Sequence, residues 1–149
     1  MTLKTLPNYS PNFDRFKRPK KKIKFIILHY TGMKTESSAI KKLCSFKSKV
    51  SCHYFIKNSG KILTIVPNLY EAWHAGISEW KKIKSLNKYS IGIEINNPGH
   101  EHGYKFFSSK QIKSLKKLLK YLMKKFNISY KNVLGHSDIA PNRKKDPGE

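Results

Sequence analysis

The chain has 149 residues, of which 38% are apolar and 12% aromatic, enough for one hydrophobic core and too many for a disordered segment. Thirty-one Lys and Arg against nine Asp and Glu give a net charge of +22, which fits anionic surroundings but equally a solvated lysine coat. Two cysteines, Cys44 and Cys52, form no C-x-x-C pair and are too few for a disulfide scaffold, which leaves buried free thiols as the expectation.

Residues 1–22 read as an extended basic leader, with three prolines and a dense run from Lys17 to Lys24. "IKFIILHY" (23–30) is a continuous apolar run of β-type residues and predicts a strand buried on both faces. Ser37 or Ser38 is placed to cap a short helix carrying Ile40, Leu43 and Cys44. "SCHYFIK" and "KILTIVP", separated by Asn58-Ser59-Gly60, read as a β-hairpin. "YSIGIEINN" (89–97) is a second buried strand with an acid inside it. From Ser109 to Phe126, Ile112, Leu115, Leu118, Leu119, Leu122, Met123 and Phe126 make one apolar stripe opposite the lysines, which predicts a helix. Asn132-Val133-Leu134 reads as a short strand delivering His136. The sum is an α/β (α+β) domain over 23–149, a mixed central sheet flanked by helices.

His29 leaves the end of a buried strand just before a Thr-Gly turn, where such sheets place ligands. His136 stands similarly, and Asp146 follows ten residues later. Two histidines and a carboxylate match a zinc site with one open position, but six histidines and nine acids allow many triplets, and structural histidines remain the alternative. Glu94 alternates with Ile91, Ile93 and Ile95, so it turns away from the isoleucine face, into water or into a cleft. Lys144 and Lys145 stand beside Asp146, either as loop lysines or as partners for an oxyanion.

"FIILHYTG", "VSCHYFIKNSGKI", "EAWHAG", "SIGIEINN" and "GHSDIAPNRKKDPG" together resemble, in order and spacing, the type 2 amidases. These are zinc N-acetylmuramoyl-L-alanine amidases related to T7-type lysozyme and to peptidoglycan recognition proteins. The resemblance implies a peptidoglycan-recognition-like fold, Zn2+ bound by His29, His136 and Asp146, Glu94 as catalytic acid and base, and Lys144 as catalytic lysine. It also puts Tyr30, Trp73, His74, Asn96, Ala140 and Arg143 along a sugar-peptide groove, with a core aromatic as the alternative for Trp73; by position His53, inside the hairpin, reads as structural, and His100 and His102, in a turn, as solvated. The phage branch has a tyrosine where Cys52 stands and no acid where Glu94 stands, so the AmpD/AmiD-like branch is the better fit. Retention of Asp146 favours an enzyme over a non-catalytic muropeptide binder, since recognition proteins that only bind have commonly lost the third ligand.

The expected activity is hydrolysis of the amide between N-acetylmuramoyl, including its 1,6-anhydro form, and L-alanine. Its partners are peptidoglycan fragments or murein, met by a monomer. A basic nucleic-acid-binding protein is the rival from another class, supported by charge alone and by no aromatic platform or recognition helix. No secretory h-region and no membrane-spanning run are visible, so the cytoplasm is expected, with the periplasm or cell envelope as the alternative. The stop soon after "DPG" leads to a further expectation, that the native domain continues past Glu149.

Overall fold

The computed structural model describes residues 2–149. In chain order the strands are β1 (Leu6–Pro7), β2 (Phe13–Asp14), β3 (Phe25–Tyr30), β4 (Tyr54–Ile56), β5 (Ile62–Thr64), β6 (Glu71–Ala72), β7 (Glu79–Trp80), β8 (Ile83–Lys84), β9 (Ser90–Ile95) and β10 (Val133–Gly135). The α-helices are α1 (Glu36–Leu43), α2 (Ser109–Phe126) and α3 (His136–Ile139).

Six strands form one mixed sheet in the order β1-β5-β4-β9-β3-β10. β3 and β9, the two continuous apolar runs, lie side by side and parallel near its middle, where both faces are covered. β4 and β5 are the expected antiparallel hairpin, and β4 joins β9 in parallel. β10 pairs parallel with β3, with Leu134 opposite Ile27 and Gly135 opposite Leu28.

Side-chain alternation divides the core into two faces. Ile91, Ile93 and Ile95 of β9 pack with Leu118, Leu122 and Phe126 of α2. On the opposite face Phe25 and Ile27 of β3 pack with Ala75, Leu86 and Ile139. His29 continues the Phe25–Ile27 side of β3, and Glu94 the non-isoleucine side of β9.

α2 has the bounds its periodicity predicts. A capping box secures its start: Ser108 Oγ accepts from Gln111 N, and Gln111 Oε1 accepts from Ser108 N. Ile112 is the exception to the predicted stripe, 36% exposed at the outer edge of the first turn. The cap of α1 also differs from expectation. Thr35, in extended conformation, accepts from Ser38 N, so Ser37 and Ser38 lie inside the first turn, where they have helical backbone.

The extended basic leader is built into this fold. β1 adds an edge to the sheet beside β5, and β2 pairs antiparallel with β6. Arg18 is 8% exposed and donates to the carbonyls of Asn87, Asn68 and Ser90 at 2.7–3.1 Å. Both cysteines are free thiols, Cys52 fully buried and Cys44 partly so.

Candidate metal centre and its cleft

Three backbone registers bring the chemistry together. His29 and Glu94 are direct partners across the β3–β9 pairing, so their side chains leave one sheet face side by side. β10 runs beside β3 and ends at Gly135, which puts His136 next to His29, as the first residue of α3 rather than the end of a strand. Asp138 accepts from Gly135 N at 2.7 Å and fixes that turn, as a loop-organising acid. The loop after α3 folds back, and Ser137 N donates to Asp146 O at 2.9 Å.

The result is a triangle of donor atoms. His29 Nδ1 lies 3.0 Å from His136 Nδ1 and 2.9 Å from Asp146 Oδ2, and His136 Nδ1 lies 3.2 Å from Asp146 Oδ2. All three residues are buried.

The surrounding hydrogen bonds fix where the protons are. Ser90 Oγ donates to Leu86 O at 2.6 Å, which uses its one proton, so Ser90 accepts from His74 Nε2 at 3.2 Å. His74 Nδ1 is then an acceptor, and His29 Nε2 donates to it at 3.0 Å. His136 Nε2 donates to Ala75 O at 2.9 Å, since a carbonyl only accepts. In the neutral rings both Nδ1 atoms are therefore bare lone pairs, aimed at each other and at a carboxylate.

Three acceptors at this spacing repel unless a cation joins them. Protons are a poor choice near neutrality, because burial above all lowers the His29 pKa below its ordinary 6.5. Asp146 is pulled both ways: burial raises its pKa, and only a proton or a cation shared with the His136 and His29 rings brings it below the usual carboxylate range. Two imidazoles and one carboxylate, with His74 Nδ1 and Ala75 O accepting from the two outer N–H groups, fit a zinc ion, whereas calcium and magnesium favour oxygen ligands throughout.

Glu94 stands at the floor of the same cleft, a cavity of about 520 Å³. Its Oε2 is sealed from solvent and has no hydrogen-bond partner. Burial first, then the charge of Asp146, pushes its carboxyl well above the ordinary range, while Lys144 and Lys42 pull the other way. Tyr30, Trp73, Arg143 and Lys144 line the cleft. Arg143 Nη2 is held by the carbonyls of Ala75 and Ile77 at 3.0 and 2.8 Å, and Trp73 Nε1 by Asp14 Oδ1 at 2.8 Å.

Other expected groove residues are held by the protein's own hydrogen bonds. His74 also lines the cleft, but behind His29 and with both ring nitrogens engaged by the protein. It fits there because residue 92 is glycine: a Cβ would come within 2.4 Å of the His74 ring. Asn96 is 7% exposed and lies off the cleft, where its side chain accepts from Thr31 Oγ1 and donates to Asn58 Oδ1. Ala140 is 8% exposed, and its carbonyl organises the next turn by accepting from Arg143 N and Lys144 N. His100 lies in an exposed turn as expected, and it also lines the cleft, stacked on Tyr104 at 4.6 Å with its Nδ1 3.1 Å from Tyr30 Oη.

Residues 19–149 match the N-acetylmuramoyl-L-alanine amidase family Amidase_2. The chain belongs to that family. This Amidase_2 chain is 40% identical over 140 residues to N-acetylmuramoyl-L-alanine amidase AmiD of Escherichia coli (strain K12), covering 85% of its own length and 49% of the relative's. It is 29% identical over 158 residues to 1,6-anhydro-N-acetylmuramyl-L-alanine amidase AmpD of Haemophilus influenzae (strain ATCC 51907 / DSM 11121 / KW20 / Rd), covering 94% of itself and 83% of that protein. The fold matches E. coli AmiD solved with anhydro-N-acetylmuramic acid-L-Ala-D-γ-Glu-L-Lys, at a TM-score of 0.77 and 37% identity over 85% of this chain and 53% of the other. The chain thus spans about half the length of AmiD. The expected α+β fold with a mixed central sheet is borne out.

Proposed function

We propose that this chain hydrolyses the amide bond between N-acetylmuramoyl and L-alanine in peptidoglycan fragments, and that it accepts the 1,6-anhydro form. The observation that carries this reading is the convergence of two proton-free imidazole nitrogens and a carboxylate within 3.2 Å, in the same cleft as an unpartnered buried glutamate. Likeness to AmiD, solved with an anhydro-muramoyl peptide, supplies the substrate class.

His29, His136 and Asp146 would hold the zinc ion, which when bound supplies a Lewis acid that activates water and polarises a carbonyl oxygen. Glu94 takes the proton of the attacking water; burial and the charge of Asp146 raise its affinity for that proton. The same carboxyl returns that proton to the alanine nitrogen as the carbon–nitrogen bond breaks. Lys144, on the cleft wall, faces the charge that develops on the former carbonyl oxygen, a role typically worth about 2.7–4 kcal/mol. Tyr30, Trp73 and His100 offer aromatic faces to the sugar, and the Arg143 guanidinium pairs with a stem-peptide carboxylate.

The reading is tested by mass spectrometry of products from soluble anhydro-muramoyl peptide and from intact sacculi, with and without a chelator. Release of peptides beginning with L-alanine, stopped by chelator and restored by zinc, is the expected result. Cleavage between sugars, or release that ignores the chelator, rejects it.

A further inference from the structure

The basic run of the leader and the lysines of α2, neither used by the cleft, meet on one side of the molecule. α2 carries seven lysines, from Lys110 to Lys125, every one exposed, and no acid. Residues 102–137 contain no Asp or Glu at all. The 3-10 turn Lys20–Lys22 packs at the far end of this helix: Lys20 Nζ lies 5.9 Å from the Phe126 ring centre and Lys125 Nζ 5.8 Å from it. Among the described residues one lysine or arginine pairs with a carboxylate, Lys57 with Glu36 at 3.5 Å, and it lies outside this patch.

Like charges three and four residues apart destabilise a helix, so the stripe opposes the fold that carries it. Its orientation is fixed. The inner face of α2 packs on Ile91, Ile93 and Ile95, while Glu94 and His29 leave the other side of the sheet. The lysine face and the cleft therefore look in opposite directions.

We propose that α2 and the Lys20–Lys22 turn form a docking face for an anionic lipid surface, which holds the cleft facing away from the bilayer. The face is a straight ridge about 27 Å long, 18 residues at a helical rise of about 1.5 Å. It carries lysine and no arginine, point charges suited to diffuse attraction rather than to two-pronged phosphate recognition. A nucleic acid strand calls for stacking aromatics, and the one aromatic inside the helix before its last residue, Tyr121, is half-buried with Lys125 Nζ 3.0 Å from its hydroxyl. The apolar side of α2 is committed to the core, so the helix adsorbs without inserting. This inference does not depend on the amidase reading.

The test is co-sedimentation with vesicles of phosphatidylcholine, with and without about one-third phosphatidylglycerol, at about 0.1 M and about 0.5 M salt. The expected result is binding to anionic vesicles at low salt, release at high salt, and no binding to neutral ones. Reversing Lys113, Lys116, Lys120 and Lys124 to Glu lowers the partition coefficient at least about tenfold. Reversing Lys81, Lys82, Lys84 and Lys88, on the other sheet face, makes the same change in net charge and leaves most of the binding. Thermal midpoints of both variants check that they fold. Equal loss in the two variants, equal binding to neutral vesicles, or retention on duplex DNA without vesicle binding overturns the proposal.

Discussion

His29 Nε2 donates to His74 Nδ1 across 3.0 Å, and this one bond leaves His29 Nδ1 without a proton and pointed at Asp146 and His136. In the proposed zinc site His74 is thereby a positioning residue that supplies no ligand atom. Replacing it with Phe keeps a ring in the site and removes the acceptor, so the His29 N–H is buried without a partner. We expect His74→Phe to weaken zinc binding about 10–100-fold, read by competition against a chelating dye. Unchanged affinity would remove His74 from this role.

Gly92 should be coupled to His74. A methyl group at residue 92 meets three atoms of the His74 ring at 2.4–2.6 Å, closer than packing allows. Gly92→Ala is expected to destabilise the fold by about 1–3 kcal/mol and to weaken zinc binding as well. Combining it with His74→Ala should cost less than the sum of the two changes, because the clash then has no partner. Additive costs in a denaturant series would contradict the packing described.

Glu94→Gln separates chemistry from stability. The amide keeps the shape and removes a carboxyl that burial and Asp146 both disfavour in its charged form. We expect zinc content to be unchanged, the thermal midpoint to hold or rise, and turnover of a muramoyl peptide to fall at least about 100-fold. A variant that cleaves at the wild-type rate has another base.

His53 supplies a pH signature away from the candidate metal site. Its Nδ1 accepts from Gly92 N at 3.0 Å, its Nε2 donates to Tyr70 O at 2.8 Å, and burial, then Arg18, lowers its pKa from 6.5 to about 3. Between those values the unfolded chain binds the proton and the folded chain does not, so stability rises with pH. The contribution is complete above about pH 6.5 and drains away towards pH 3, at no more than about 1.4 kcal/mol per unit. His53→Asn retains an acceptor for Gly92 N without titrating. Urea midpoints between pH 6.5 and 4.5 should fall more steeply for the wild type than for the variant; parallel curves would refute the assignment.

The sheet was legible wherever burial on both faces left an unbroken apolar run, as in β3 and β9, and α2 was legible from its period and its Ser108 cap. His29 ends an apolar strand, Glu94 breaks one and His136 follows a short one, Asp146 was legible from its place after His136, and the structure brings these four to one cleft. His74 could not be read this way. Its position depends on the missing side chain of Gly92 and on a serine proton already spent on Leu86, neither of which leaves a local pattern. Asn96 and Ala140 sit close in sequence to site residues, yet they follow the ends of β9 and α3 and are committed to the protein's own hydrogen bonding, Asn96 with Asn58 and the Ala140 carbonyl with Arg143 N and Lys144 N. His100 was hidden by its turn-forming neighbours, and its stacking on Tyr104 is a tertiary event.

Arg18 bears on where this domain can be cut. The Amidase_2 match begins at residue 19, one residue after a guanidinium that anchors the carbonyls of Asn68, Asn87 and Ser90. A chain started at that boundary would leave Asn68, Asn87 and Ser90 each short of a donor. Ser90 is also the residue whose hydroxyl sets the His74 ring. The boundary of that match therefore falls inside the folding unit, and the stretch before it braces the candidate metal site from a distance.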